Sequence, residues 1–128
     1  MNYFSYCEDL QRMLKKHGYA GVDPAEPLDL AMMNTSSFQS GTKVVAACHP
    51  YGYDYEPEDI YKRSQDWFQS LIGNNGAGLL VYVYDAAPAW AVDIIKNFSG
   101  EVYGATIDLE NGATWIPSHL GWDRLFED

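Results

Sequence analysis

The stretch TKVVAACHPYGYDYEPED, residues 42–59, decides the fold of this chain. Its first part, 42–48, is mainly apolar and β-branched or small, without polar alternation, which predicts a strand buried on both faces of a sheet. Pro57 then takes the first position of a helix, with Glu58 and Asp59 in the first turn, where carboxylates favour the positive end of the helix dipole. A buried strand leading through a loop into a helix predicts a β-α-β unit.

The residues downstream repeat this alternation of strand and helix. The stripe from Ile60 to Ile72 lies on one helical face, and a Gly-Asn-Asn-Gly motif at 73–76 ends that helix. A second buried strand is predicted over 78–85, and a third over 101–109. The helix between them starts near Ala86-Ala87-Pro88 and buries one face, formed by Trp90, Ala91, Ile94, Ile95 and Phe98.

The two ends of the chain are assigned from turn and capping signals. Ser5 is predicted to cap a first helix, which ends near Gly18. A second, shorter helix is predicted to begin at Asp23-Pro24 and to turn its apolar side chains inward. Asn111-Gly112 is a strong hairpin signal, so 113–116 should return as an antiparallel strand. A last short helix follows Pro117.

The order of elements predicts one α/β domain spanning residues 1–128. We expect three layers, with helices on both faces of a mixed four-stranded sheet. The sheet should be mostly parallel, because strands that alternate with helices through short loops pair in parallel. Its C-terminal strand should be an antiparallel edge.

The charge of the chain limits its partners. The sequence holds 18 acidic and 8 basic residues, a formal net charge of −10. Direct binding of nucleic acid is not expected, because the protein's field repels a polyanion. A basic protein, such as a nuclease or a nucleic-acid-binding protein, would instead be attracted. We expect a cytoplasmic protein that does not bind membranes. The two cysteines are not spaced as a pair, and the sequence shows no apparent signal peptide and no long apolar run.

The candidate site follows from the predicted sheet. Ligands of such sheets bind beyond the carboxyl ends of the parallel strands, and three predicted loops meet there. The loops carry tyrosines, which suit interfaces because they bury much area at low entropy cost, together with carboxylates. The predicted binding residues are Tyr51, Tyr53, Asp54, Tyr55, Glu56, Asp85, Asp108 and Glu110.

Three interpretations of these residues compete. In the first, the chain is an acidic protein-binding module, an inhibitor of the immunity or anti-defence type that occupies a basic site on a partner without turnover. In the second, the loop at 51–56 only packs over the end of the sheet. In the third, Asp54, Asp85 and Asp108 bind Mg²⁺ in a phosphoester hydrolase.

Other enzyme classes find little support, and no cofactor is expected. Cys48 and His49 are adjacent on a strand end, and neighbours on a strand point to opposite faces. The chain has no Gly-x-Ser-x-Gly elbow and no phosphate-binding loop with a lysine. The histidines at 17, 49 and 119 do not have metal-site spacing. We therefore lean toward a protein that is not an enzyme.

Overall fold

The structure, a computed structural model, describes residues 2–35, 41–50, 56–73, 75–98 and 100–126. The described residues form one six-stranded sheet, in which the strands lie in the order of the chain. The strands are β1 (Ala20–Gly21), β2 (Leu30–Asn34), β3 (Thr42–Cys48), β4 (Gly76–Tyr84), β5 (Val102–Asp108) and β6 (Thr114–Trp115). The helices are α1 (Tyr3–Lys16), α2 (Pro57–Ile72), α3 (Ala91–Lys96) and a C-terminal 3-10 segment (His119–Phe126).

The sheet is mixed, as predicted, but its strand number was predicted wrongly. β3, β4 and β5 are parallel to one another, and β6 returns antiparallel at one edge of the sheet. β1 and β2, which the sequence analysis did not predict, add two antiparallel strands beside β3. The α/β class is therefore confirmed, whereas the four-stranded, mostly parallel sheet is replaced by six strands with two parallel and three antiparallel pairings.

The error lies in the segment that was predicted as a second helix. Its apolar positions Ala31 and Met32 are buried, but in two different cores, one on each face of the sheet. Adjacent side chains on opposite faces are the geometry of a strand. The backbone of β2 pairs with β3 at five consecutive positions. These strand hydrogen bonds stabilise the segment more than a helix started at Asp23-Pro24 would.

The sheet separates two apolar cores. On one face α1 and the 3-10 segment pack through residues such as Leu10, Leu14 and Trp122. On the other face α2 and α3 pack through residues such as Phe68 and Ile95. The predicted arrangement of helices on both faces of the sheet is thus confirmed.

Two helices differ in extent from their prediction. α1 begins at Tyr3 rather than after Ser5, because the side chain of Asn2 caps it by accepting a hydrogen bond from the Ser5 N–H at 2.8 Å. α3 covers only six residues, from Ala91 to Lys96, so it begins later and ends earlier than its predicted apolar face. In the described part of the chain, no helix has the length and apolar character needed to cross a membrane.

Candidate functional site

Parallel pairing of β3, β4 and β5 brings their following loops to one side of the sheet, as the sequence analysis expected. We call this side the carboxyl edge: it comprises the ends of these strands, residues 49–50, 56, 85–90 and 109–113, and the first turns of α1 and α2. Of the predicted site residues, the structure places Glu56, Asp85, Asp108 and Glu110 there. The other four, Tyr51, Tyr53, Asp54 and Tyr55, lie outside the described residues.

Asp108 holds two of these loops together. Its side chain is buried and accepts hydrogen bonds from the Ala87 N–H at 3.1 Å and from the backbone and side-chain N–H groups of Asn111 at 3.0 and 3.1 Å. The hydrogen bonds from Asn111 lower the pKa of the Asp108 carboxyl and outweigh the opposing effect of desolvation. These interactions favour an organising role for Asp108 over direct contact with a partner.

Asp85 and Glu110, in contrast, are exposed on adjacent loops. The Glu110 N–H donates to the Asp85 carbonyl at 2.9 Å, which links the loops after β4 and β5. The Asp85 side chain is 68% exposed, and its Oδ2 lies 3.3 Å from Nε2 of His49. This Nε2 has no hydrogen-bond partner among the described residues, so the two side chains are neighbours without hydrogen-bond geometry.

His49 fixes the start of α1 against the sheet. Its ring stacks on that of Tyr3, with the centroids 4.7 Å apart and the planes at 19°. The Tyr3 hydroxyl donates to Oδ2 of Asp29 at 2.7 Å. Burial, and next the hydrogen bond to Asp29, raise the pKa of this phenol. The Asp29, Tyr3 and His49 side chains thus connect the entry to β2, the start of α1 and the end of β3.

The cysteine next to His49 has the properties of a structural residue. Cys48 is fully buried, and burial raises the pKa of its thiol. Burial likewise raises the pKa of the Cys7 thiol. Neither thiol is activated toward nucleophilic attack, which requires the thiolate.

Two exposed aromatic side chains at the carboxyl edge were missed in the sequence analysis. Phe4 follows Tyr3 in the first turn of α1 and is 77% exposed. Trp90, predicted to face inward, instead precedes α3 and is 43% exposed. A sequence signal existed for Phe4, because it lies off the apolar stripe of α1. We define the edge rim as these two aromatics and the three exposed carboxylates among the predicted site residues: Phe4, Glu56, Asp85, Trp90 and Glu110.

The basic residues lie away from the edge rim. The segments 2–9, 49–59, 85–91 and 108–113 contain no lysine or arginine. Lys62 and Arg63 lie in the second turn of α2, and Lys15, Lys16, Lys43 and Lys96 lie at the ends of α1, β3 and α3 that are opposite to this edge. The eight basic residues are Arg12, Lys15, Lys16, Lys43, Lys62, Arg63, Lys96 and Arg124.

A metal centre at this edge stays a prediction. Among the residues that the structure describes, no cluster of three or more histidine, cysteine, aspartate or glutamate side chains could hold a metal ion. The predicted magnesium site includes Asp54, which is outside the described residues. Asp108, its third member, already accepts hydrogen bonds on both carboxylate oxygens.

Comparison of the chain with protein-family models, with curated proteins and with solved structures finds no match. The functional conclusion therefore rests on the residues of the carboxyl edge.

Proposed function

We propose that the chain is an acidic protein-binding module whose edge rim occupies a basic site on a partner protein. The observation that carries this proposal is the combination of exposed aromatic rings with exposed carboxylates in segments that have no cation of their own. Protein interfaces place aromatic anchors beside complementary charges in this way.

The carboxylates supply the electrostatic part of such recognition. Asp85 and Glu110 are exposed, and within the described residues neither carboxylate lies within ion-pair distance of a lysine or arginine. They are therefore available to arginine and lysine side chains of a partner. Their field, added to a net charge of −10, speeds encounter with a basic surface and suppresses binding of acidic ones.

The aromatic rings supply the apolar part. Phe4 and Trp90 expose ring surface that the fold does not bury, and an interface would remove that surface from water. Exposed rings also attract arginine by cation–π interaction, worth roughly 0.5–1 kcal/mol at exposed sites. A basic, arginine-bearing surface thus matches both components of the edge rim.

The rim is held in place by structural interactions beneath it. Asp108 fixes the loops that carry Trp90 and Glu110, and the Tyr3–His49 stack fixes the turn that carries Phe4. A pre-organised surface loses less entropy on binding. Inhibition of a nuclease or of another nucleic-acid-binding protein by occupying its basic site would need no turnover.

Affinity capture from the native host, followed by titration of the purified partner, tests the proposal. We expect the double substitution Asp85→Asn/Glu110→Gln to weaken binding about tenfold or more. Phe4→Ala and Trp90→Ala should each weaken binding similarly. Added salt should weaken the wild-type complex. The control Glu8→Gln/Asp66→Asn changes the net charge equally but lies outside the rim. Equal affinities for the two double variants, or an affinity that salt does not change, would contradict the proposal.

The predicted contribution of the loop at 51–55 is tested in the same titration. Tyr53→Ala/Asp54→Ala should weaken binding while the melting temperature stays within a few degrees of wild type. If this variant unfolds instead, the interpretation of the loop as a structural cover of the sheet end is correct.

A further inference from the structure

A second candidate site lies on the outer surface of the α2–α3 layer. It is a half-open groove of about 250 Å³ between these helices. One wall comes from the first half of α2 and the other from the end of α3 and the residues just after it. The groove is lined by Glu58, Tyr61, Lys62, Ile94, Asn97 and Phe98.

The short length of α3 explains why the groove is open. The helix ends at Lys96, and Phe98 turns back onto the layer, where its ring stacks on Tyr61 with the centroids 3.9 Å apart and the planes at 18°. The Phe98 ring also contacts that of Tyr82, with the centroids 6.0 Å apart and the planes at 62°. Tyr82 is buried, and its hydroxyl donates to the carbonyl of Pro57 at the start of α2. The aromatic floor of the groove is thus anchored to the sheet.

Opposite charges line one wall of the groove without neutralising each other. Glu58 and Lys62 are exposed and lie one helical turn apart, in the orientation that usually pairs on a helix surface. Among the described residues, neither forms an ion pair within 4 Å. Asn97, exposed on the facing wall, adds an amide that both donates and accepts. The groove therefore offers an anion, a cation and an amide above an aromatic floor.

These features select the ligand by size and by charge. Pockets for drug-sized ligands measure roughly 300–1,000 Å³, so this groove suits a smaller molecule. Adjacent positive and negative groups match a zwitterion, and the Tyr61–Phe98 floor matches a planar apolar ring. We propose that the groove binds a free α-amino acid with an aromatic side chain, its ammonium at Glu58, its carboxylate at Lys62 and its ring against Phe98.

This proposal is independent of the edge rim, and L-phenylalanine is the probe that tests it. In a nuclear magnetic resonance titration of the full chain, we expect saturable shifts of α2 and α3 amides with a Kd in the millimolar range or tighter. Phenethylamine lacks the carboxylate, 3-phenylpropionate lacks the ammonium and L-alanine lacks the ring. Each should bind about tenfold more weakly or worse.

Variants on α2 separate the groove from general charge effects. Glu58→Gln and Lys62→Met should each weaken L-phenylalanine binding about tenfold, and Glu58→Gln should weaken phenethylamine more than 3-phenylpropionate. Asp66→Asn and Arg63→Met are matched controls on the same helix outside the groove, and they should bind as wild type does.

The proposal fails if L-phenylalanine gives no saturable shift, or if the analogues bind as tightly as the amino acid. It also fails if Glu58→Gln and Lys62→Met leave amino-acid binding unchanged. A loss of partner capture in these variants without any amino-acid binding would assign the groove to a protein interface instead.

Discussion

Asp108 shows how one carboxylate organises the carboxyl edge. It receives three N–H donors from two loops that are far apart in the sequence, so its ionised form is stabilised in the folded state. Its lowered pKa means that the folded protein releases this proton more readily than the unfolded chain does. The associated stability is present above the unfolded pKa of about 3.9 and is lost as pH falls through the folded value.

We expect Asp108→Asn to lower the melting temperature at neutral pH, because an amide replaces one acceptor oxygen with a donor that faces other donors. The difference from wild type should shrink as pH falls below about 4, because the Asp108 carboxyl of the unfolded wild-type chain takes up a proton there before that of the folded protein does. Thermal unfolding across this pH range measures both effects. Asp66→Asn, at an exposed position, is the control and should show neither effect. If Asp108→Asn is as stable as wild type, Asp108 does not organise the carboxyl edge.

At the residue scale, the sequence allowed the acidic part of the rim to be predicted but not its aromatic part. Glu56, Asp85 and Glu110 follow from the positions of strand ends, which residue patterns reveal. The exposure of Trp90 depends on where α3 begins, and the side chain of Trp90 makes no capping hydrogen bond that would mark this boundary in the sequence. The hydrogen bonds from Asn111 to Asp108 form within one turn, but the hydrogen bond from the Ala87 N–H depends on the pairing of β4 with β5 in the folded sheet.

At the scale of elements, glycine sets how closely α3 approaches the sheet. A Cβ added to Gly104 in β5 would lie 2.6 Å from the Cβ of Ile95 and 3.0 Å from the Phe98 ring. Neither β5 nor the Cβ of Ile95 can move far without its backbone, so α3 would have to shift outward. This contact explains why a helix of only six residues remains docked.

We expect Gly104→Ala to destabilise the protein by about 1–3 kcal/mol, the usual effect of overpacking a core. Urea unfolding measures this change. Gly21→Ala is the matched control, because the nearest atom to its added Cβ is the Met32 sulfur at 4.0 Å, and its effect should stay within about 0.5 kcal/mol. Similar effects of the two substitutions would show that α3 is not packed this closely.

The elements predicted correctly are those with long, uninterrupted patterns. α2 was predicted from its starting proline and its apolar stripe, and its observed bounds, Pro57–Ile72, agree with both signals. β2 was missed because the apolar positions at 28, 31 and 32 fit a helical face as well as a strand with two buried faces. Only the pairing of β2 with β3 distinguishes them, and that pairing is a property of tertiary structure.

At the scale of the whole molecule, charge is distributed unevenly along the strand direction. The edge rim holds carboxylates without cations, whereas Lys15, Lys16, Lys43 and Lys96 lie toward the opposite edge. Like charges on neighbouring loops repel within the screening length of about 10 Å at 0.1 M salt. Binding surfaces often keep residues that bind a partner even though these residues lower the stability of the fold. The proposed function therefore implies that the rim can be stabilised by changes that impair binding.

Charge reversal at Glu110 tests this relation. Glu110→Lys places a cation beside Asp85, so we expect the melting temperature at low salt to rise by about 1–3 °C while affinity for the basic partner falls. Asp66→Lys changes the net charge equally, but it replaces an acid that lies within a helical turn of Lys62 and Arg63. It should therefore be neutral or destabilising and should leave the affinity closer to wild type. At about 1 M salt, where charges are screened beyond roughly 3 Å, the two variants should become equally stable. If Glu110→Lys is less stable than Asp66→Lys at low salt, the Glu110 carboxylate stabilises the fold. The edge rim would then not be a surface that is kept for a partner at a cost in stability.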